Sequence, residues 1–523
     1  MIYLVELTGY DPATAGDVVL RYCGGESAYT TRPTDDPANA EYEGRVSDPG
    51  NLERHLFGRN RTYGESDIGV GVIKLANPDG DLDGLLDMTF DGRPVQIWAL
   101  EDGAPFGSRE LLFSGLIDDA EFGYAEVTVS IRDRLDALRE TLQQETFTGE
   151  TVSGGRADAE GGEDLKDKPK PEAYGRVLNV PAVEVDRFDL IYQIAANGLA
   201  SIDVVRDRGV ALTKGSDYAT LAALKAATVT AGTYASCVAL GLIKLGARAD
   251  GQITVDASEG ATAADRSAAR VARRMLERAG FVAGTDFEAA DFEALHALNP
   301  AEVQYWVGTS DVDALDAIAA VLGSVGGYLL PDRTGKFHVG RLELPTGEPG
   351  AVIDEVLILD GGSGIDRIGT DDEGSGKAAR TITVKYGLNH YPVRRDELVT
   401  DTGTASDTTD AYRAFATEEW RQVKIENAAV AAISPDAPEL TFETMFVNEA
   451  DAHAEANRLA PIYSVRRDVF SVPVTRREIE TIDLAGVVEL QMSRFGLNEG
   501  RLFRVLGETA NYEDGQTTLV LWG

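Results

Sequence analysis

Residues 166–185 read KDKPKPEAYGRVLNVPAVEV, and this stretch constrains the fold more than any other because it divides the chain. Pro169 and Pro171 fix their own φ angles and disfavour helix at Lys168 and Lys170, so the backbone here runs extended and semi-rigid. The valines that follow predict a strand, and Pro181 places that strand at a sheet edge or a bulge. Upstream, TVSGGRADAEGGED over residues 151–164 has too little apolar content to order itself and reads as an exposed loop. A new domain is therefore expected to begin near residue 165.

Before that junction the pattern is one of strands. DVVLRYC, IGVGVIKLAN, RPVQIWAL and ELLFSGLIDDAEFGYAEVTVSIRD are separated by turn clusters such as NPDGD and FDGR. Val127, Val129 and Ile131 alternate with Thr128 and Ser130, the period of a half-buried strand. The opening MIYLVELTGYD has no basic start and an apolar run broken by Glu6, so it reads as a first strand rather than a secretory signal. RDRLDALRETLQQ carries Leu135, Leu138 and Leu142 at helical spacing and predicts a helix that closes this part.

After the junction the pattern is mixed. Thr262 and Asp265 are spaced as a capping box, AADRSAARVARRMLERA fills a helix, and Gly280 suits its C′ position. DVDALDAIAAVLGSV places Leu315, Ile318 and Leu322 on one helical face and leads into GGYLLPDRTGKFHVGRL, a hairpin pattern turning at PDRTG. Residues 361–377 are polar and glycine-rich, a second hinge or long loop. The last part opens with the strand TITVKYGL and includes a helix, EADAHAEANRLA, expected to end at Pro461. It closes on the strands DVFSVPVTRRE, GVVELQ, GRLFRVLGETANY and QTTLVLWG, with Asp514-Gly515 as a hairpin turn.

A chain of 523 residues with 43% hydrophobic content can bury several cores, and three domains are expected. Against 49 Lys and Arg stand 87 Asp and Glu, a net charge of −38 that keeps the surface soluble and repels nucleic acid and anionic membranes. No run is long enough to span a bilayer, and the longest candidate, ASCVALGLIKLGA, is interrupted by Lys244. Cys23 and Cys237 are far apart and match no metal-ligand or redox spacing, so two semi-buried thiols are expected.

Motifs that carry chemistry are thin. Asp79, Asp81 and Asp83, with Gly84, match the first half of a calcium loop, but the twelfth position is Phe90 and a strand rather than a helix precedes it. The competing reading is a turn in which Asp residues bond their own backbone. GTDDEGSGKAA has Asp371 where a phosphate loop needs its first glycine and Ala378 after Lys377, so it reads as a solvated loop. His55, His296, His338, His390 and His453 lie in no HExxH pattern and beside no Cys or Ser motif, which favours structural roles. The abundance of carboxylates leaves a pair of the glycosidase kind open. Arg266, Arg270, Arg274 and Arg278 recur every fourth residue, either as a solvent face paired with carboxylates or as a stripe that docks an acidic partner. No catalytic, cofactor-binding or metal residue is assigned.

Three stretches carry a family resemblance. IGVGVIKLANPDGDLDGLLDMTFDGRPVQI sets strand, NPDG turn and GRPV strand in succession; the second is residues 166–185 with the helix and hairpin ending at GGYLLPDRTGKFHVGRL; the third is GVVELQMSRFGLNEGRLFRVLG with the terminal TTLVLWG. Together they resemble the tail hub (tail-tip or baseplate hub) proteins of long-tailed bacteriophages and phage-like gene transfer agents.

The resemblance implies a mainly β multidomain protein with α+β parts. Residues 1–150 would form a β-barrel-like domain, 165–345 a mixed α/β middle domain, and 346–523 a second β-barrel-like domain with a helical insertion. It also implies a homotrimeric ring, made in the host cytoplasm and placed at the distal tail end of the virion. Its neighbours would be the distal tail protein ring, the tape measure protein and tip or fibre proteins, with DNA passing through the channel without specific binding. Many relatives continue into a fibre where this sequence ends at Trp522 and Gly523, a departure that counts against direct receptor binding by this chain. The alternatives are a tail-tip hydrolase acting on peptidoglycan or surface polysaccharide, and a receptor-binding adhesin.

Overall fold

In the computed structural model, which describes residues 1–25, 28–151, 158–399, 410–475 and 482–523, the alternation in Glu126–Arg132 buries Val127, Val129 and Ile131 in one core. The same period-two logic repeats around a ring. Seven strands pair in the order Gly16–Gly24, Ile2–Asp11, Pro94–Leu100, Glu110–Phe122, Glu126–Arg132, Val70–Ala76 and Glu41–His55. The barrel closes because Gly16–Gly24 runs parallel to Glu41–His55, with Tyr22 opposite Glu43. Closure leaves this part of the sheet with no exposed edge.

Glu41–His55 is long enough to serve two units. Beyond a register shift between Asp48 and Asn51 it pairs with Arg501–Asn511, Leu52 lying opposite Ala510. The sheet then continues through Gln516–Trp522 and Val469–Thr475 to Asp366–Ile368. Val487–Leu490 joins the other half of Arg501–Asn511 and carries Ala351–Ile353 beside it. These C-terminal strands bury a core that includes Phe470, Phe503, Leu521 and Trp522. The fold is mainly β and multidomain, with α+β parts.

Between these units, Glu172–Pro181 pairs with Ile253–Ser258 and with Gln304–Val307. Gln304–Val307 stops at Gly175, so Pro181 has a strand partner on one side only, with a bulge nearby between Val255 and Ala257. The segment leading in is tied back on the chain: Phe147 N–H donates to Lys168 O at 2.9 Å and Lys170 N–H to Glu145 O at 2.8 Å. Of the loop expected at residues 151–164, positions 152–157 lie outside the described residues, as do positions 476–478 of the expected strand DVFSVPVTRRE.

The largest core is helical at its centre. Ala268–Arg278, Ala289–Leu298 and Ala314–Gly323 bury Met275, Phe292 and Ile318 against one another. Ile382 of Thr381–Tyr386 and Leu459 of Glu449–Tyr463 belong to the same core, so residues on both sides of position 345 contribute to it. Among the described residues, no helix is long and apolar enough to cross a membrane.

Three expected elements differ, the first being the helix after Thr262, which begins only at Ala268 beyond extended Ser267. RDRLDALRETLQQ forms only the 3-10 turn Arg134–Arg139, because the chain is drawn against the start of Ala314–Gly323: Leu142 N–H donates to Val312 O and Ala314 N–H to Glu140 O. The leucines are still buried, without a helix to carry them. Pro461 does not end the helix Glu449–Tyr463 but lies inside its last turn. There Arg467 donates to the Pro461 and Ile462 carbonyls at 2.6 and 3.3 Å, which satisfies the terminal acceptors.

Candidate functional site

The arginine stripe starts one turn earlier than its helix. Thr262 and Asp265 form the capping box, the Asp265 carboxylate accepting from Thr262 N–H at 2.9 Å, but on the 3-10 turn Ala263–Arg266. Ser267 is extended (φ −71, ψ 153) and interrupts the helix. Its position is fixed by a bridge to Glu302 and by its hydroxyl, 2.8 Å from His296 Nδ1. Arg266 therefore sits in the turn, and Arg270, Arg274 and Arg278 in Ala268–Arg278.

Each of the four meets a carboxylate from a different segment. Arg266 Nε donates to Glu302 at 2.6 Å. Arg270 forks onto Glu293 at 3.1 and 2.6 Å, and Arg274 onto Glu259 at 2.6 and 2.5 Å. Arg278 reaches buried Glu172 at 3.1 and 2.7 Å, where the Tyr174 hydroxyl also donates at 2.6 Å. The Arg270 guanidinium holds the Glu293 carboxyl below its ordinary range. The stripe braces this helix to its neighbours, and a docking partner would meet a charge-balanced surface.

The aspartate loop is held by a cation of the chain itself. Arg45 donates to Asp79 at 2.9 and 3.1 Å and to Asp81 at 3.1 Å. Asp83 instead accepts from Asn77 Nδ2 at 2.9 Å, and Asp81 N–H donates to the Asp79 carboxylate at 3.3 Å. The Arg45 contact lowers the Asp79 carboxyl to about 2. The guanidinium thus sits against two of the three carboxylates that a calcium ion would need, and the third is turned to Asn77.

The histidines are spread through the fold. His338 has Asp291 at 2.7 Å on Nδ1 and Asp332 at 3.3 Å on Nε2; these contacts, that to Asp332 foremost, raise it to about 9. His390 packs edge-on against Trp306, and burial lowers it to about 4. The Ser267–His296 contact has the spacing of a nucleophile and base, yet Ser267 is 0% exposed. Cys23 and Cys237 are both buried, and burial raises both thiols, the opposite of what a reactive thiolate needs. Among the described residues, no group of three His, Cys, Asp or Glu is placed to hold a metal.

Sequence reasoning did not single out the junction between the two ends of the chain. Arg54 on Glu41–His55 donates to Asp483 at 2.9 Å and to Pro331 O at 2.5 Å, with Glu508 at 3.8 Å. One side chain thereby ties the N-terminal barrel, the hairpin Gly327–Arg341 and the C-terminal strands. Alongside it, Asp133 accepts from Gly69 and Leu135 N–H at 2.7 and 2.9 Å, and burial pushes its carboxyl up to about 7. A charge-rich, long-range cluster of this kind has no local pattern to announce it.

No protein-family model and no curated protein matches this chain. Among solved structures it is similar to the tail protein from Neisseria meningitidis MC58, at 11% identity over 92% of this chain and 93% of that one, with a TM-score of 0.40. It is also similar to the 43 kDa tail protein of prophage MuSo2 from Shewanella oneidensis, at 8% identity over 100% and 98%, TM-score 0.41. A chain of the native gene transfer agent particle shows 13% identity over 74% and 91%, TM-score 0.39.

Proposed function

We propose that this chain is a structural tail hub protein of a phage-type particle. Three copies form a ring at the distal end of the tail, joining the tail tube and distal tail ring to tip or fibre proteins around the channel through which DNA leaves. The observation that carries this reading is the continuous sheet that unites the chain's two ends through Glu41–His55 and Arg501–Asn511. It places a closed barrel beside a second β-rich unit as one body. The second unit still ends in Ala351–Ile353, a strand with one neighbour among the described residues, and packing around a closed ring covers such an edge.

The role is non-enzymatic. Ser267, among the described residues the one serine hydroxyl bonded to a histidine, is buried and braces a helix start, and the Cys237 thiol is buried. DNA passes without sticking, since a net charge of −38 and internally paired arginines disfavour phosphate contacts. An image of the assembled tail is expected to show three copies at the distal end, with the barrels nearest the channel. Six copies or one, or purified protein that clears peptidoglycan or capsule until a single carboxylate is replaced, would refute this reading.

A further inference from the structure

We propose that a cleft in the C-terminal half, between Asp366–Ile368, residues 369–378 and the short helix Ala428–Ile433, is a docking groove for an acidic, extended segment of a partner protein that carries an apolar anchor. The cleft encloses about 680 Å³. It lies where the large sheet ends: Asp366–Ile368 pairs with Val469–Thr475 on one side and has no strand on its other side among the described residues. A terminal strand is where an extended segment is received.

Charge selects the occupant. Arg367, Lys377, Arg466 and Arg467 all line the cleft, in a chain whose net charge is −38. Among the described residues only Arg367 of these meets a carboxylate, Asp468 at 2.5 Å, and Asp468 is shared with Arg501 at 2.8 Å. Arg467 donates to two main-chain carbonyls and lies over the Trp522 ring at 5.8 Å. Lys377 and Arg466 have no ion pair among the described residues. The contrast with Arg266, Arg270, Arg274 and Arg278, each matched to a carboxylate, is the point. Here positive charge is left over, and long-range attraction of an acidic segment follows.

The cleft also has an apolar wall. Ile433 ends its helix 86% exposed and lines the cleft with Ile368 and the buried Val469. A purely electrostatic site for nucleic acid would not need this wall, and four cations confined to one cleft do not form a track along a duplex. An acidic peptide with one branched apolar residue satisfies both features.

The test uses the purified full chain and three fluorescein-labelled probes: a twelve-residue peptide of glutamates around one central leucine, its lysine counterpart, and a single-stranded oligonucleotide. The glutamate peptide is expected to bind saturably by anisotropy, and carbodiimide is expected to couple it to the Lys377 amine, as read by mass spectrometry. Joint replacement Lys377→Glu and Arg466→Glu should weaken binding by about tenfold or more, since each reversal turns an attraction into a repulsion. Ile433→Ser should weaken it as well, and Lys424→Glu, an exposed cation outside the cleft, should leave it unchanged. All these residues are exposed, and equal melting temperatures will show that the variants are folded. Absence of saturable binding, equal binding of the lysine peptide, or displacement of the glutamate peptide by the oligonucleotide would overturn the proposal. None of these outcomes depends on ring formation, so the hub reading stands or falls separately.

Discussion

Arg54 and Asp483 lie 429 positions apart in sequence and 2.9 Å apart in space, and their contact binds the first strands of the chain to the last. Arg54 is only 4% exposed, so its charge is matched inside the protein rather than by water. Replacing it with methionine would leave Asp483 and the Pro331 carbonyl without their shared donor, and Glu508 with Arg333 as its remaining cation. A loss of about 3–5 kcal/mol in unfolding free energy is expected, as for other broken buried pairs. Denaturant unfolding measures it, and a loss below about 1 kcal/mol would show that the junction is held by strand pairing alone.

Gly507 sits at the register shift where Arg501–Asn511 passes from one partner strand to another, directly across from His55. A Cβ there would run into the imidazole, with His55 Cε1 at 2.9 Å and Val520 Cβ at 3.4 Å. Gly507→Ala is expected to cost about 1–3 kcal/mol through overpacking. Shortening His55 to alanine in the same chain should recover part of that loss. If the double variant is no better than the sum of the singles, the contact is not the cause.

His338 links pH to stability in a defined direction. Its folded pKa is raised from 6.5 to about 9 by Asp332 and Asp291, so its contribution is complete below about 6.5 and is lost as pH rises through about 9. Thermal melts across that window should show a decline that His338→Gln removes. An unchanged slope in the variant would assign the decline to other groups.

Asp133 acts in a lower window. Its carboxyl is raised from 3.8 to about 7, so the native state holds a proton that the unfolded chain releases, and stability falls between about pH 4 and 7. Asp133→Asn should flatten the pH profile there, whatever its effect on absolute stability. A profile of the same slope in both proteins would count against the shift.

What could be read from the sequence follows the range of the interactions involved. Val127, Val129 and Ile131, the Thr262–Asp265 capping box and the PDRTG turn are local, and each appears at its expected residues, although the box caps the 3-10 turn Ala263–Arg266 rather than the helix itself. The strand Glu41–His55 is not among the strands expected from sequence, although it is the seam of the architecture: its register shifts near Gly44 and across Pro49-Gly50, which breaks the period-two pattern. The helix expected around Leu135 failed for the opposite reason, because a correct periodicity was overridden by pairing with Val312. The carboxylates facing the arginine stripe come from positions 172, 259, 293 and 302, and only the fold brings them together.

In the proposed ring, the surface that faces the channel is expected to be acidic or neutral. Every Lys or Arg pairing with a phosphate would release counterions and favour binding, so a modest number of such contacts would slow a moving duplex. A charge of −38 makes an acidic wall easy to build, yet a protein adapted to high salt would have the same composition for unrelated reasons. Sidedness separates the two causes: only the channel explanation enriches Asp and Glu on the inner wall relative to the outer surface. Arg266, Arg270, Arg274 and Arg278 do not disturb it, because Glu302, Glu293, Glu259 and Glu172 already neutralise them. A density map of the assembled ring with a lumen lined by unpaired Lys and Arg would reverse the conclusion and make direct DNA contact the function to pursue.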